Sequence, residues 1–144
     1  MKGTQWDGMS AQDVARMLQL APHPEGGFYR ETWRAQAKEG ERGSGTAIYF
    51  LLPGDVTNRW HRVDAVEIWH YHAGAPLELH VGREAPSSQE VTLLGADLVA
   101  GQRPQGIVPA HAWQRARSLG TWTLVGCTVS PAFEFAGFEM LEES

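Results

Sequence analysis

The chain has one cysteine, no long apolar run and no surplus of positive charge, and each lack removes a class of protein. A single thiol, Cys127, cannot close an internal disulfide, so a disulfide-stapled secreted scaffold is excluded and a reducing cytoplasm is expected. No stretch approaches the roughly 20 apolar residues of a spanning helix, and the first residues lack the basic-then-apolar order of a secretory leader. No membrane partner is therefore expected. Twelve Lys and Arg stand against 17 Asp and Glu, a net charge of −5. That balance argues against a nucleic-acid partner, because phosphate backbones are held by a positive surface. Sustained helical patterning is scarce as well, while 16 glycines and eight prolines supply turns.

What is present reads as one all-β domain spanning residues 1–144. Ser10 is an N-cap for one short helix over about residues 10–20, with Asp13 favouring its first turn and Val14, Met17 and Leu18 on one face. Pro22, Pro24, Gly26 and Gly27 then end it. Short strands follow at Phe28–Arg34, Thr46–Leu52, Glu67–Tyr71, Leu77–Val81, Glu90–Leu94, Gln105–Val108, Trp113–Ala116 and Thr121–Val129. Strands this brief, separated by Gly, Pro, Ser and Asp, describe a sandwich or small barrel over about residues 26–138. The charged, glycine-rich run from Lys38 to Ser44 reads as a mobile loop, and Glu139 to Ser144 as a solvated tail. Cys127, in an apolar strand, reads as a buried structural thiol.

The segment from Trp60 to His72 concentrates the chemistry: three of the six histidines, two of the six tryptophans and Glu67. Imidazoles and carboxylates bind metals and move protons near neutral pH. In an extended strand Glu67, Trp69 and Tyr71 share one face, and Ile68, His70 and His72 the other. His70, His72 and His80 are expected to meet solvent or a partner, His23 to serve loop structure, and His111 to sit in a turn at the rim of a pocket.

Several strings together resemble a family. Pro22-His23-Pro24-Glu25-Gly26-Gly27, His61-Arg62 with Glu67-Ile68-Trp69-His70, Gly74-Ala75-Pro76-Leu77, Gly101-Gln102-Arg103-Pro104-Gln105, Val108-Pro109 with Trp113-Gln114, and Val125 to Pro131 are similar to short single-domain cupins of unassigned function. The resemblance implies a double-stranded β-helix, the cupin jelly roll, with a pocket in the barrel and a homodimer as its usual assembly. In the wider superfamily a first motif offers two histidines, a glutamate and a glycine, and a second motif offers one more histidine. Here His61, Glu67 and Gly74 fit that pattern, while Arg59 and Gln114 stand where imidazoles are expected. No cofactor is therefore favoured, since carboxamide is a weak ligand for mid-transition metals and arginine adds a fixed positive charge. The alternative is a divalent metal on His61, Glu67 and Gln114.

With Arg59 and His61 pointing inward, the expected site has His61 paired with Glu67 as general base and Tyr71 as proton donor, with Tyr49 and Tyr29 as alternatives to it. Arg59, Tyr49, Trp69, Gln114 and Arg30 are expected to bind a small polar or anionic metabolite. This apparatus suits a metal-independent isomerase or epimerase. Two other readings stand beside it: a non-catalytic module that binds or senses a small molecule, and a metal-dependent cupin enzyme. His61 and Glu67 are also compatible with a purely structural buried ion pair.

Overall fold

The computed structural model describes residue 6 and residues 8–142; Glu143 and Ser144 of the expected tail lie outside the described residues. One helix, α1 (Ala11–Leu18), precedes eleven strands. These are β1 (Ala21–Pro22), β2 (Phe28–Arg34), β3 (Thr46–Pro53), β4 (His61–Val63), β5 (Val66–Gly74), β6 (Leu77–Gly82), β7 (Glu90–Leu94), β8 (Gln105–Val108), β9 (Trp113–Ser118), β10 (Trp122–Ser130) and β11 (Phe138–Met140). They form two sheets, β1-β2-β3-β10-β5-β8 and β11-β4-β9-β6-β7, whose inner faces share one core. This is the jelly roll that the resemblance implied. No helix among the described residues is long and apolar enough to cross a membrane.

The helix begins as its sequence dictates. Ser10 Oγ accepts the Asp13 N–H at 3.0 Å, and Asp13 Oδ2 accepts the Ser10 N–H at 3.0 Å, a reciprocal capping box. Its buried face differs from the expected one. Ala11 and Val14 are buried, with Ala15 and Leu18 packed beside them against Leu51 and Trp122, whereas Met17 is 69% exposed. The helix closes at Leu18 because Gln19 adopts a left-handed conformation (φ 58°). It thereby covers one end of the outer face of the larger sheet.

Inside the barrel, Phe50, Leu52, Trp69, Leu77, Leu79, Leu94 and Val125 form a continuous core in which Trp69 meets Phe50 edge-on at 5.7 Å. The core occupies the barrel on the far side of Trp69 and leaves space on the near side. Two departures from the sequence expectation shape that space. The supposed tail contributes β11, which pairs with β4 through Phe138↔Val63 and Met140↔His61. The supposed mobile loop is fastened at Arg42, which grips Asp64 with both terminal nitrogens and donates from Nε to the Ala132 carbonyl at 2.7 Å. Both cases share a cause: isolated charged residues read as solvated, yet their partners lie 22 or more residues away along the chain.

The turn between β1 and β2 is the tightest constraint near the space. Gly27 has φ 93°, and a Cβ there would lie 2.8 Å from the Leu51 carbonyl and about as near the Phe50 ring. Replacing Gly27 with Ala is expected to cost on the order of 1–3 kcal/mol, seen as a drop of several degrees in thermal denaturation. An unchanged melting temperature would contradict this account of the turn.

Candidate functional site

The space left by the core is a cavity of about 210 Å³. Its polar lining comes from His23 and Glu25 in the β1–β2 turn, Tyr29, Glu31 and Arg34 on β2, Thr46 on β3, His61 on β4, and Glu67 on β5. Ile48, Phe50, Val63, Cys127 and Val129 supply the walls, and Phe133, Phe135 and Phe138 cover one side. The cavity opens where Glu31, Arg34 and Phe135 are exposed; Glu25, His61 and Glu67 are buried at the other end.

The centre of this cluster is a contact that sequence reasoning missed. His61 Nε2 lies 2.9 Å from Glu25 Oε2, and His61 Nδ1–H donates to the Arg59 carbonyl at 2.8 Å. A carbonyl only accepts, so Nδ1 carries a proton, and the carboxylate on the other side draws a second proton onto Nε2. Burial pushes the His61 pKa down, but the charge and hydrogen bond of Glu25 outweigh it and raise the value to about 9. Burial likewise pushes Glu25 up, yet His61 reverses this and holds Glu25 below the ordinary carboxylate value. The two form a buried, charged pair. Backbone contacts fix the partners: the Glu25 carbonyl accepts the Arg59 N–H at 2.9 Å and the buried Asn58 amide at 3.3 Å.

His23 lies above this pair and stays neutral. Its Nδ1 accepts the Glu25 N–H at 3.1 Å, so the 3.8 Å approach of that nitrogen to Glu25 Oε2 is not an ion pair. Burial lowers its pKa, and of the two neighbours Glu25 opposes the shift while His61 adds to it.

Glu67 behaves in the opposite sense from Glu25. Burial, then the negative charge of Glu25, raise its pKa to about 7, with His61 and the Gln114 amide only partly offsetting them. Trp69 Nε1–H donates to Gln114 Oε1 at 2.8 Å, which turns the Gln114 NH2 toward Glu67 Oε1 at 2.9 Å. Because an indole can only donate, Trp69 sets the amide's orientation. Cys127 is buried against Glu67, and burial pushes its thiol pKa well up, so it faces the cavity as a thiol.

His61 and Glu67 thus line one cavity, but not as the expected base and carboxylate partner. His61 is held protonated by Glu25, and the group poised near neutrality is Glu67. The remaining expected site residues lie elsewhere. The Arg59 side chain does not enter the barrel; its guanidinium donates to the Leu141 carbonyl at 2.7 Å beside Trp60 and Arg115. Arg59 meets the Glu25–His61 pair through its backbone N–H and carbonyl. Tyr71 faces inward as alternation requires, but beyond Trp69, where its hydroxyl donates to the Gly74 carbonyl at 2.6 Å. Trp69 and Gln114 are buried supports that do not line the cavity. Tyr49 is on the outer face against His72, and Arg30 donates to the Leu18 carbonyl at 3.1 Å. His70 is outside too, meeting Thr128 Oγ1 at 3.1 Å, and His111 occupies a turn with φ 69°.

The donor set does not fit a divalent metal. Both His61 nitrogens are committed to protons and oxygen acceptors, Glu67 accepts from an amide, and Gln114 spends its carbonyl on Trp69. Among the described residues no three His, Cys, Asp or Glu side chains are arranged to hold a metal ion.

The shifts set how stability depends on pH. The folded pKa of His61 is above its ordinary 6.5, so its stabilisation is complete below that pH and is lost as pH rises through about 9. Glu67 is also raised, from 4.5 to about 7, so its contribution is complete below 4.5 and lost as pH rises through about 7. Thermal melts are expected to fall from pH about 6.5 to about 9, whereas below 6.5 the lowered pKa values of His23 and His72 work against the decline that Glu67 causes. In Glu67→Gln, which cannot ionise, the part of the decline below pH about 7 disappears and the alkaline part remains. A wild-type melting temperature that rises over this range contradicts the assignment.

A known family and several solved structures are similar to this chain. The family described as "Cupin superfamily (DUF985)" matches residues 12–141. A protein from Shewanella oneidensis is 37% identical, with 93% of this chain and 85% of that one covered at a TM-score of 0.85. A hypothetical protein from Leishmania major is 35% identical, covering 90% of this chain and 86% of that one at a TM-score of 0.80. At 12% identity a cupin-2 domain from Rhodospirillum rubrum shares the fold, with 100% and 81% covered and a TM-score of 0.58. No curated protein shows significant similarity to the chain. With the jelly roll, the buried cavity and a match over residues 12–141, the chain belongs to the DUF985 family of the cupin superfamily.

Proposed function

We propose that this cupin catalyses metal-independent proton transfer beside a carbonyl, as an isomerase or epimerase of a small molecule. One observation carries the reading: a buried carboxyl, Glu67, lines an open cavity with its pKa raised to about 7. A base near the working pH combines the right protonation state with the greatest driving force. Ionised Glu67 takes the proton from the carbon next to the carbonyl, and the bonding pair moves onto the carbonyl oxygen. The hydroxyl of Tyr29, which lines the same cavity, donates to that oxygen, and the fixed charge of His61 stabilises it through space. The protonated Glu67 then returns its proton to another face or carbon, so no co-reactant is consumed. Glu25 keeps His61 charged, and Gln114 keeps Glu67 oriented.

The test is hydrogen–deuterium exchange at the α-carbon of small aryl and alkyl methyl ketones in D2O, followed by proton NMR. The rate is expected to rise through pH about 7 as Glu67 ionises and to fall through about 9 as His61 loses its charge. Glu67→Gln should reduce exchange by about a hundredfold or more, whereas Tyr71→Phe, on the far side of Trp69, should leave it unchanged. Ligands that bind without exchanging support the non-catalytic binding module instead. Exchange at full rate in Glu67→Gln refutes the proposal.

A further inference from the structure

Deepening the proton-transfer reading, and resting on its cavity, we propose that the natural ligand is a flat, ring-sized carbonyl compound with an anionic group at the opposite end. The carbonyl end meets Glu67 and the anionic end meets Arg34.

The argument begins with strand register. Across the inner face of the larger sheet, Arg34 pairs with Thr46, Thr46 with Val129, and Val129 with Glu67. These four side chains form one row along the cavity wall, and all four line the cavity. Three interstrand spacings of about 4.8 Å separate the two ends of that row. The side chains between them, Thr46 and Val129, are short, so the row has a charged group at each end and a shallow middle. Phe133 and Phe138 cover the row, 5.8 Å apart and edge to face, with Phe135 beside them. Phe133 and Phe138 pack against Val129, and the cavity they border, about 210 Å³, has room for a body of about one ring; aromatic edges and faces reward a flat apolar one.

Arg34 faces this row only because β2 carries a bulge. Tyr29 and Glu31 point inward, and simple alternation would put Trp33 next. The register slips between Glu31 and Trp33, so Trp33 pairs with outward Ala47 and Arg34 with inward Thr46. The slip turns a 55% exposed indole outward and a guanidinium toward the cavity. Bulges re-aim side chains in this way beside functional sites.

The donors left on Arg34 favour an anion over a cation as the end group. Glu31 spends both oxygens on Arg34, accepting Nε at 3.2 Å and Nη2 at 2.7 Å, while Arg34 Nη2 also donates to the Phe133 carbonyl at 2.9 Å. The Arg34 Nη1 donors are left for a further acceptor, while each Glu31 oxygen already holds one Arg34 N–H. The buried end, by contrast, carries a balanced Glu25–His61 pair and a carboxyl, Glu67, that is half ionised near neutrality, so it suits an uncharged carbonyl.

Calorimetric titration with 4-acetylbenzoate, its methyl ester and the aliphatic keto acid 5-oxohexanoate tests this. The wild-type protein is expected to bind 4-acetylbenzoate about tenfold more tightly than either comparison compound, the gain of one charge-assisted contact or one buried ring. Arg34→Gln should remove the advantage over the ester without weakening the ester, and Glu31→Gln, which releases Arg34, should enlarge it. Equal affinity for acid and ester, or the same preference in Arg34→Gln, overturns the inference, as does failure of all three compounds to bind. Exchange of the acetyl protons in D2O reports separately on proton transfer. Arg34-dependent binding without exchange upholds this ligand class and contradicts the catalytic reading.

Discussion

The buried contact between Glu25 and His61 governs the site. It places two opposite charges inside a protein barrel, where each alone would be strongly disfavoured and where losing one partner leaves the other stranded. Its consequences spread outward. Because Glu25 stays ionised, His61 stays protonated and does not act as a neutral-pH base. Burial raises Glu67 first, and the negative charge of Glu25 adds to it, so the second carboxyl is pushed toward neutrality. One ion pair thus divides the two carboxyls into a permanent anion and a titrating acid, the kind of separation that assigns acid and base roles in enzymes.

The scaffold serves the pair through backbone contacts more than through side chains. Gly27 lets the β1–β2 turn pack against Leu51, and the Glu25 carbonyl is held by Asn58 and the Arg59 N–H. On the opposite wall, Trp69 divides the barrel into a filled half and an open half and fixes Gln114, which in turn fixes Glu67. Gln114 occupies the motif position where the wider superfamily offers a metal-binding histidine. Here the carboxamide orients a carboxyl group, and a protonated imidazole supplies the positive charge.

The fold was legible in the sequence because strand periodicity and turn residues are local signals. Eight strands were read nearly to their ends, and the capping box at Ser10 and Asp13 was in plain view. β1, β4 and β11 were missed because strands of two or three residues carry no periodicity of their own, and each is defined only by its partner. The site was legible in part. Alternation placed Glu67, Trp69 and Tyr71 on one face, which is where they lie, but it could not say that Trp69 would stop the cavity short of Tyr71. Glu25 was visible within the Pro-Glu-Gly-Gly run and was read for its glycines; its pairing with His61 spans 36 positions of sequence, a separation no local pattern reports. Arg30 was chosen for its place beside the Glu25-Gly26-Gly27 turn, Arg34 was not foreseen because alternation cannot foresee a bulge, and Arg59 was turned inward by a motif whose chemistry this chain does not keep.

The central claim is the protonation state of His61, and nitrogen-15 NMR of the imidazole ring measures it directly. The account predicts that both ring nitrogens carry protons at neutral pH and that the ring titrates only near pH 9. A neutral ring with one bare nitrogen, titrating near its ordinary 6.5, would contradict it.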